Sequence, residues 1–284
     1  MHRRKVPRRT LALQRRRQTS AWLLAALSTM AAAPTAQASG WVKDPGQAYV
    51  KASLGTFSSD DSEEGAGLQY VNQSAGIYAE VGVLEGLHVQ MDTQYVWAAN
   101  EANGGKIRYK HAGFGDLTVG VRYRLAAQPV ALALGVDVKG PLYKDVNEVD
   151  GADELGERVS FPDLGDGEVD TSVGLGAGVS FHPLPIWSVA WLAYQKRGGD
   201  FVDTALASVT VGGSVAKVLG LSTGADAAYA LSEDSVTKSW VSLRVQAWLE
   251  LGSGLSPEAH FGFMPWTENT EAGMQFLLGV SWKR

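Results

Sequence analysis

The sequence predicts an all-β chain folded as a transmembrane up-and-down antiparallel β-barrel of about 12 strands. Three observations carry this. Apolar residues recur at every second position over stretches of about ten residues, the length a tilted strand needs to cross the hydrocarbon of a bilayer. Short and long connections alternate along the chain, as they do when strands run up and down between two rims. Residues 1–38 have the make-up of an export signal.

That signal comes first. Arg3, Arg4, Lys5, Arg8, Arg9, Arg15, Arg16 and Arg17 form a basic region without an acid, Ala21 to Ala33 form a short apolar run, and Ala36 and Ala38 supply the small residues of a cleavage site. The apolar run is too short for a membrane anchor. Of 25 basic and 30 acidic residues, 8 basic and no acidic ones lie before residue 39, so the remaining 246 residues carry 17 against 30, a net charge of −13 in place of −5. Such an acidic chain is a poor partner for nucleic acid.

Composition narrows the class further. There are 33 Gly, 9 Trp and no Cys, and charged residues make up 19%, below the roughly 25% of soluble domains. The missing cysteines exclude a disulfide scaffold, a thiolate metal centre, a cysteine nucleophile and an acylated lipoprotein anchor. A mean hydropathy of −0.07 excludes a bundle of membrane helices.

The strands are placed near 47–57, 69–82, 87–98, 113–125, 130–139, 170–181, 186–196, 203–217, 221–231, 239–250, 255–265 and 273–282. The fourth shows the pattern most cleanly: Leu117, Val119, Val121, Tyr123 and Leu125 interleave with Asp116, Thr118, Gly120, Arg122 and Arg124. In the fifth, Val130, Leu132, Leu134, Val136 and Val138 face one way, and Ala131, Ala133, Gly135, Asp137 and Lys139 the other. The sixth sets Val173, Leu175 and Val179 against Gly174, Gly176 and Gly178. The tenth sets Val241, Leu243 and Val245 against Ser242, Arg244 and Gln246, and the twelfth Met274, Phe276, Leu278 and Val280 against Gln275, Leu277 and Gly279. A soluble β-sandwich would also alternate, but its solvent face is rich in Lys, Glu and Thr. Here the second face is rich in Gly, Ala and Ser, as for side chains crowding a narrow lumen.

Five connections are tight: 83–86, 126–129, 182–185, 218–220 and 252–254. Six longer ones alternate with them: 58–68, 99–112, 140–170, 197–202, 232–239 and 266–272. An even strand count places both ends of the barrel on the short-turn, periplasmic side. Tyr49, Phe57, Tyr95, Trp97, Tyr123, Phe181, Trp187, Tyr229, Trp240, Phe263, Trp266 and Trp282 fall toward strand ends, where aromatic girdles meet lipid headgroups.

The fourth segment reads Gly113-Phe114-Gly115-Asp116-Leu117-Thr118-Val119-Gly120-Val121-Arg122-Tyr123-Arg124-Leu125. It resembles the hallmark strand of the phenol-degradation (MetA-pathway) family of bacterial outer-membrane β-barrel proteins. The resemblance is specific over these thirteen residues and extends in length and strand rhythm over the rest. It implies an outer-membrane barrel and passage of small, hydrophobic or aromatic compounds. Gly113 and Gly115 read as the loop-to-strand junction.

The inward phase carries charges of both signs. The lumen or pore residues are Asp116, Arg122, Arg124, Asp137, Lys139, Asp226, Arg244 and Glu258, and Lys51, Glu80, His88, Asp92 and His260 share the phase. Such a lumen suits a narrow aqueous channel or a packed, salt-bridged interior. A catalytic role needs a His beside a Ser or a carboxylate. His88, His111, His182 and His260 show no such motif, and no enzymatic activity, cofactor or metal is expected. Residues 140–170 are strongly acidic. Asp163, Asp166, Glu168 and Asp170 offer hard oxygen ligands, but their spacing does not match an EF-hand. A solvated surface loop is the plainer reading, and a loop folded inward to narrow the pore is a third.

The functional expectation is passive or facilitated passage of small molecules, gated by loop 140–170 and the lumen charges. The alternative is a non-conducting structural or interaction barrel. Expected partners are outer-membrane lipid and lipopolysaccharide, the barrel-assembly machinery and small solutes, with the protein a monomer.

Overall fold

The computed structural model describes residues 40–60, 69–102, 107–143, 162, 164–215, 218–233, 237–270 and 272–284. Residues 1–38, read from the sequence as an export signal, and most of the acidic loop lie outside the described residues. Twelve strands follow in order: β1 (Ala48–Asp60), β2 (Gln69–Leu84), β3 (Leu87–Ala102), β4 (Ile107–Ala126), β5 (Ala131–Pro141), β6 (Asp170–Ser180), β7 (Ile186–Lys196), β8 (Thr204–Val215), β9 (Leu219–Ala230), β10 (Ser239–Leu249), β11 (Leu255–Glu268) and β12 (Gly273–Lys283). Each pairs antiparallel with its sequence neighbours, and β1 pairs with β12, so the sheet closes on itself. Ala48 and Arg284 exchange backbone hydrogen bonds of 3.1 and 3.0 Å at the seam. Closure leaves no strand edge unpaired, which a bilayer requires because lipid offers no hydrogen bonds.

The period-two pattern sets the faces. Val119, Val121, Tyr123, Leu132, Leu134, Val136, Leu175 and Leu192 are exposed on the outer wall, while Arg122, Ala131, Ala133, Ser172 and Trp191 are buried within. So many exposed aliphatic and aromatic side chains would be an aggregation surface in water, and in lipid they are the solvated face.

Two expectations need correction. β4 starts at Ile107 instead of near 113, so the glycines of its motif are not at a junction but inside the strand. There the register with β3 shifts between Thr93 and Tyr95, opposite Leu117 and Phe114, and such a bulge breaks the alternation that marks a strand. The second concerns the rings. Tyr95, Trp97, Tyr123, Phe181, Tyr229, Phe263, Trp266 and Trp282 are on the outside or exposed, but Tyr49 and Phe57 are buried inside at 4% and 2% exposure. Trp187 and Trp240 also take the inward phase.

Inward rings and lumen glycines occupy the same space. A Cβ at Gly135 or Gly174 would strike Trp191, one at Gly178 would strike Trp41, one at Gly212 Trp187, and one at Gly220 Trp248. Large rings fit inside a 12-stranded barrel because neighbouring strands carry no side chain there.

Candidate functional site

The inner face encloses a cavity of about 410 Å3. Its two sides differ in chemistry. Strands β1 to β6 contribute Lys51, Asp92, Asp116, Arg122, Asp137, Lys139 and Asp170, whereas β7 to β12 contribute Trp191, Leu206, Trp240, Met264 and Leu277 beside Asp226 and Arg244.

All eight lumen residues read from the sequence take inward positions, and the structure gathers them into clusters. Arg122 donates to both oxygens of Asp137, at 2.8 and 2.9 Å, in the bidentate geometry that makes such pairs strong. Gln90 Nε2 and the Ser172 hydroxyl also donate to Asp137, at 3.1 and 3.3 Å. The Arg122 guanidinium lies 4.3 Å from the Trp191 ring centroid, a cation–π contact. Gly120 and Gly135 make room, since a Cβ at either would collide with this pair. Across the lumen, Arg244 pairs with Asp226 and donates to Thr210 at 2.6 Å. Glu258 takes Lys51 at 2.8 Å and the Gln246 amide at 2.9 Å.

Lys139 stands among three carboxylates: Asp166 at 2.6 Å, Asp170 at 2.7 Å and Asp116 at 3.7 Å. Arg197, from the connection after β7, pairs with both Asp166 and Asp170. Asp166 and Asp170 therefore face internal cations and are not arranged as a divalent-ion cage. Asp163 lies outside the described residues.

Asp166 belongs to the end of loop 140–170, and this end folds inward. Pro162 and Leu164 are fully buried. Leu164 sits over the glycines of the β4 motif: a Cβ at Gly113 would come within 2.7 Å of its Cδ1, and one at Gly115 within 3.2 Å of its carbonyl oxygen. The His111 ring nitrogen Nδ1 is 2.9 Å from the Pro162 carbonyl, and the Gly167 amide donates to the Tyr143 hydroxyl at 2.6 Å. Of the readings of this loop, inward folding holds for its described end. The GxG of the motif thus serves as a seat for the loop.

Burial pushes the Asp166 carboxyl up, but Lys139 and Arg197 outweigh it and hold it below the usual carboxylate range. A carboxylate held low stabilises the docked loop fully above about pH 4 and loses that contribution as pH falls through the lowered value. Asp166→Asn should therefore loosen the loop end by about 1–3 kcal/mol. Hydrogen exchange at residues 164–169 should speed up by about tenfold or more, with strand amides unchanged.

A second obstruction has no signal in the sequence pattern. Residues 40–46, before β1, cross the short-turn mouth inside the barrel. Gly40 packs against the backbone of β5 and β6, and Trp41 lies over Gly178 and edge-on to Trp187 at 6.5 Å. Val42 is buried. The Lys43 amide donates to His88 Nδ1 at 3.2 Å, and its ammonium lies 3.6 Å from Glu80. Arg124 donates to the Val42 carbonyl at 2.6 Å and pairs with Asp44 at 2.8 Å. Arg124 is thus an anchor for this segment. Two of the remaining histidines also have plain surroundings: His260 contacts Lys51 at 2.9 Å, and His182 lies in the β6–β7 turn.

No family model matches the chain, and no curated protein matches it. Solved structures do. An outer membrane channel from Pseudomonas putida F1 superposes with a TM-score of 0.63 at 12% identity, over 86% of this chain and 98% of that one. The transport unit of the autotransporter AIDA-I from Escherichia coli gives 0.53 at 8% identity, over 94% and 97%. The translocator domain of the autotransporter NalP from Neisseria meningitidis gives 0.51 at 10%, over 84% and 89%. These likenesses establish the fold: a closed 12-stranded barrel of the bacterial outer-membrane type.

Proposed function

We propose that the chain is an outer-membrane channel for passive or facilitated passage of small molecules, with hydrophobic or aromatic compounds as the class its lumen suits. The observation that carries this reading is the cavity itself. It is charged on one side, lined by Trp191, Leu206, Trp240, Met264 and Leu277 beside the Asp226–Arg244 pair on the other, and obstructed toward its two rims by loops and leading residues of the same chain. Amphipathic walls suit solutes with an apolar body and a polar tip. The β4 motif and its resemblance to the phenol-degradation family point the same way, and the Pseudomonas putida structure is itself described as an outer membrane channel. The protein would act as a monomer, inserted by the barrel-assembly machinery among lipid and lipopolysaccharide.

The second reading, a non-conducting barrel, draws on the paired lumen charges and on residues 40–46 across the mouth. Liposome swelling separates the two. A channel of this kind should admit small aromatic alcohols faster than sugars of similar size. Absence of swelling for every solute, with protein that folds correctly by heat-modifiable gel mobility, would favour the second reading.

A further inference from the structure

The inward carboxylates of this barrel are matched to cations. Glu80 has Lys43, Asp137 has Arg122, Asp226 has Arg244, Glu258 has Lys51, and Asp116, Asp166 and Asp170 surround Lys139. Asp92 breaks the pattern. It lies on β3, lines the cavity, and has no hydrogen bond or ion pair with any of the described residues. Lys51, whose field reaches it, is held by Glu258 at 2.8 Å and His260 at 2.9 Å.

Two more unmatched acceptors adjoin it. Gln94 is two residues along the same face of β3, and its Oε1 is buried without a partner. On β4, Thr118 stands directly opposite Asp92, which puts Asp116 diagonally across at the bulge. One Asp116 oxygen, Oδ1, is likewise buried without a partner. Same-face neighbours on a strand and diagonal neighbours across strands are each about 7 Å apart, so the three acceptors ring one patch of wall. Each offers an oxygen that accepts, and the Asp92 carboxyl has no cation of its own, whereas Asp116 shares Lys139 with Asp166 and Asp170. Leaving such groups unmatched is costly. A ligand that brought a positive charge and several N–H donors would complete the patch. A hard cation such as Ca2+ would want six to eight oxygens, and it would gain nothing from the aromatic and aliphatic wall opposite.

We propose that Asp92, Gln94 and Asp116 form a subsite for the ammonium group of a small amphipathic amine, whose apolar body lies toward Trp191, Leu206, Trp240, Met264 and Leu277. This names a solute class for the cavity and rests on the channel reading for its biological use, although binding is measurable without conduction.

The test is calorimetric titration of the purified full-length protein in detergent micelles with 2-phenylethylamine at neutral pH, beside 2-phenylethanol and 3-phenylpropanoate. The amine should bind wild-type protein at least about tenfold more tightly than the alcohol, the gain expected from a charge-assisted hydrogen bond, and the carboxylate should bind worst. Asp92→Asn should abolish the preference for the amine, and Gln94→Glu should increase it. Asp92→Ser serves if the asparagine variant fails to fold by gel mobility. Equal binding of amine and alcohol to wild-type protein overturns the proposal, as does an amine preference that survives loss of the Asp92 carboxylate. A barrel that selects amines but never conducts would keep the subsite and sink the channel reading. One that conducts without selecting amines would do the reverse.

Discussion

Arg122→Ala is expected to cost about 3–5 kcal/mol of barrel stability, the usual result of removing one partner of a buried ion pair. From the sequence alone Arg122 reads as a pore-lining charge whose loss would spare folding and alter conduction. The structure changes that expectation. The Arg122 side chain is 3% exposed, grips Asp137 with two hydrogen bonds and lies against Trp191. Removing it leaves Asp137, whose side chain is 15% exposed, with only Gln90 and Ser172. The cost is therefore mostly that of an orphaned charge. A double variant, Arg122→Ala with Asp137→Ala, should recover a large part of the loss. Urea unfolding of the refolded barrel measures both. Arg122→Ala with wild-type stability would mean that the pair is not formed.

Leu134→Arg should cost roughly 2–4 kcal/mol and impair assembly, because it puts a guanidinium on the lipid face near mid-strand. Leu134 is 40% exposed on the outer wall of β5, between Leu132 and Val136 on the same face. A change one position away, at Ala133, would enter the packed interior instead, because successive side chains point to opposite faces. Heat-modifiable mobility and urea titration in bilayers read the effect. Normal assembly of Leu134→Arg, together with water-accessible cysteines substituted at Leu117 and Val119, would reverse the face assignment of the whole barrel.

Much of this architecture is legible in the sequence, because a barrel strand is a local signal. β7 occupies 186–196 and β2 begins at 69, as the alternation indicates. β4 is the exception, and the reason is physical. Its bulge interrupts the period just where Gly113 and Gly115 suggest a junction, so the first turns of alternation at Tyr109 and His111 are not recognised. Faces are legible for aliphatic residues but not for aromatics. Phe57 and Trp97 both lie near strand ends, yet one is buried inside and the other faces out. Position along a strand does not say which way a ring points.

The site was legible only as a set of inward charges. Which of them pair depends on contacts between distant segments: Lys139 with Asp166, Arg197 with both loop carboxylates, Arg124 with Asp44. No spacing rule announces these. Residues 40–46 are the clearest case, since a seven-residue stretch outside the strands carries no periodicity. Its role follows from Trp41 meeting a glycine on β6.

The proposed function requires a restricted but usable path through this barrel across the outer membrane. Planar-bilayer recording of the purified full-length protein tests it most directly. Small, discrete conductance steps that grow in Asp166→Asn, where the loop end is loosened, are the predicted result. Folded protein that gives no steps, in the wild type and in the loosened variant alike, would contradict it.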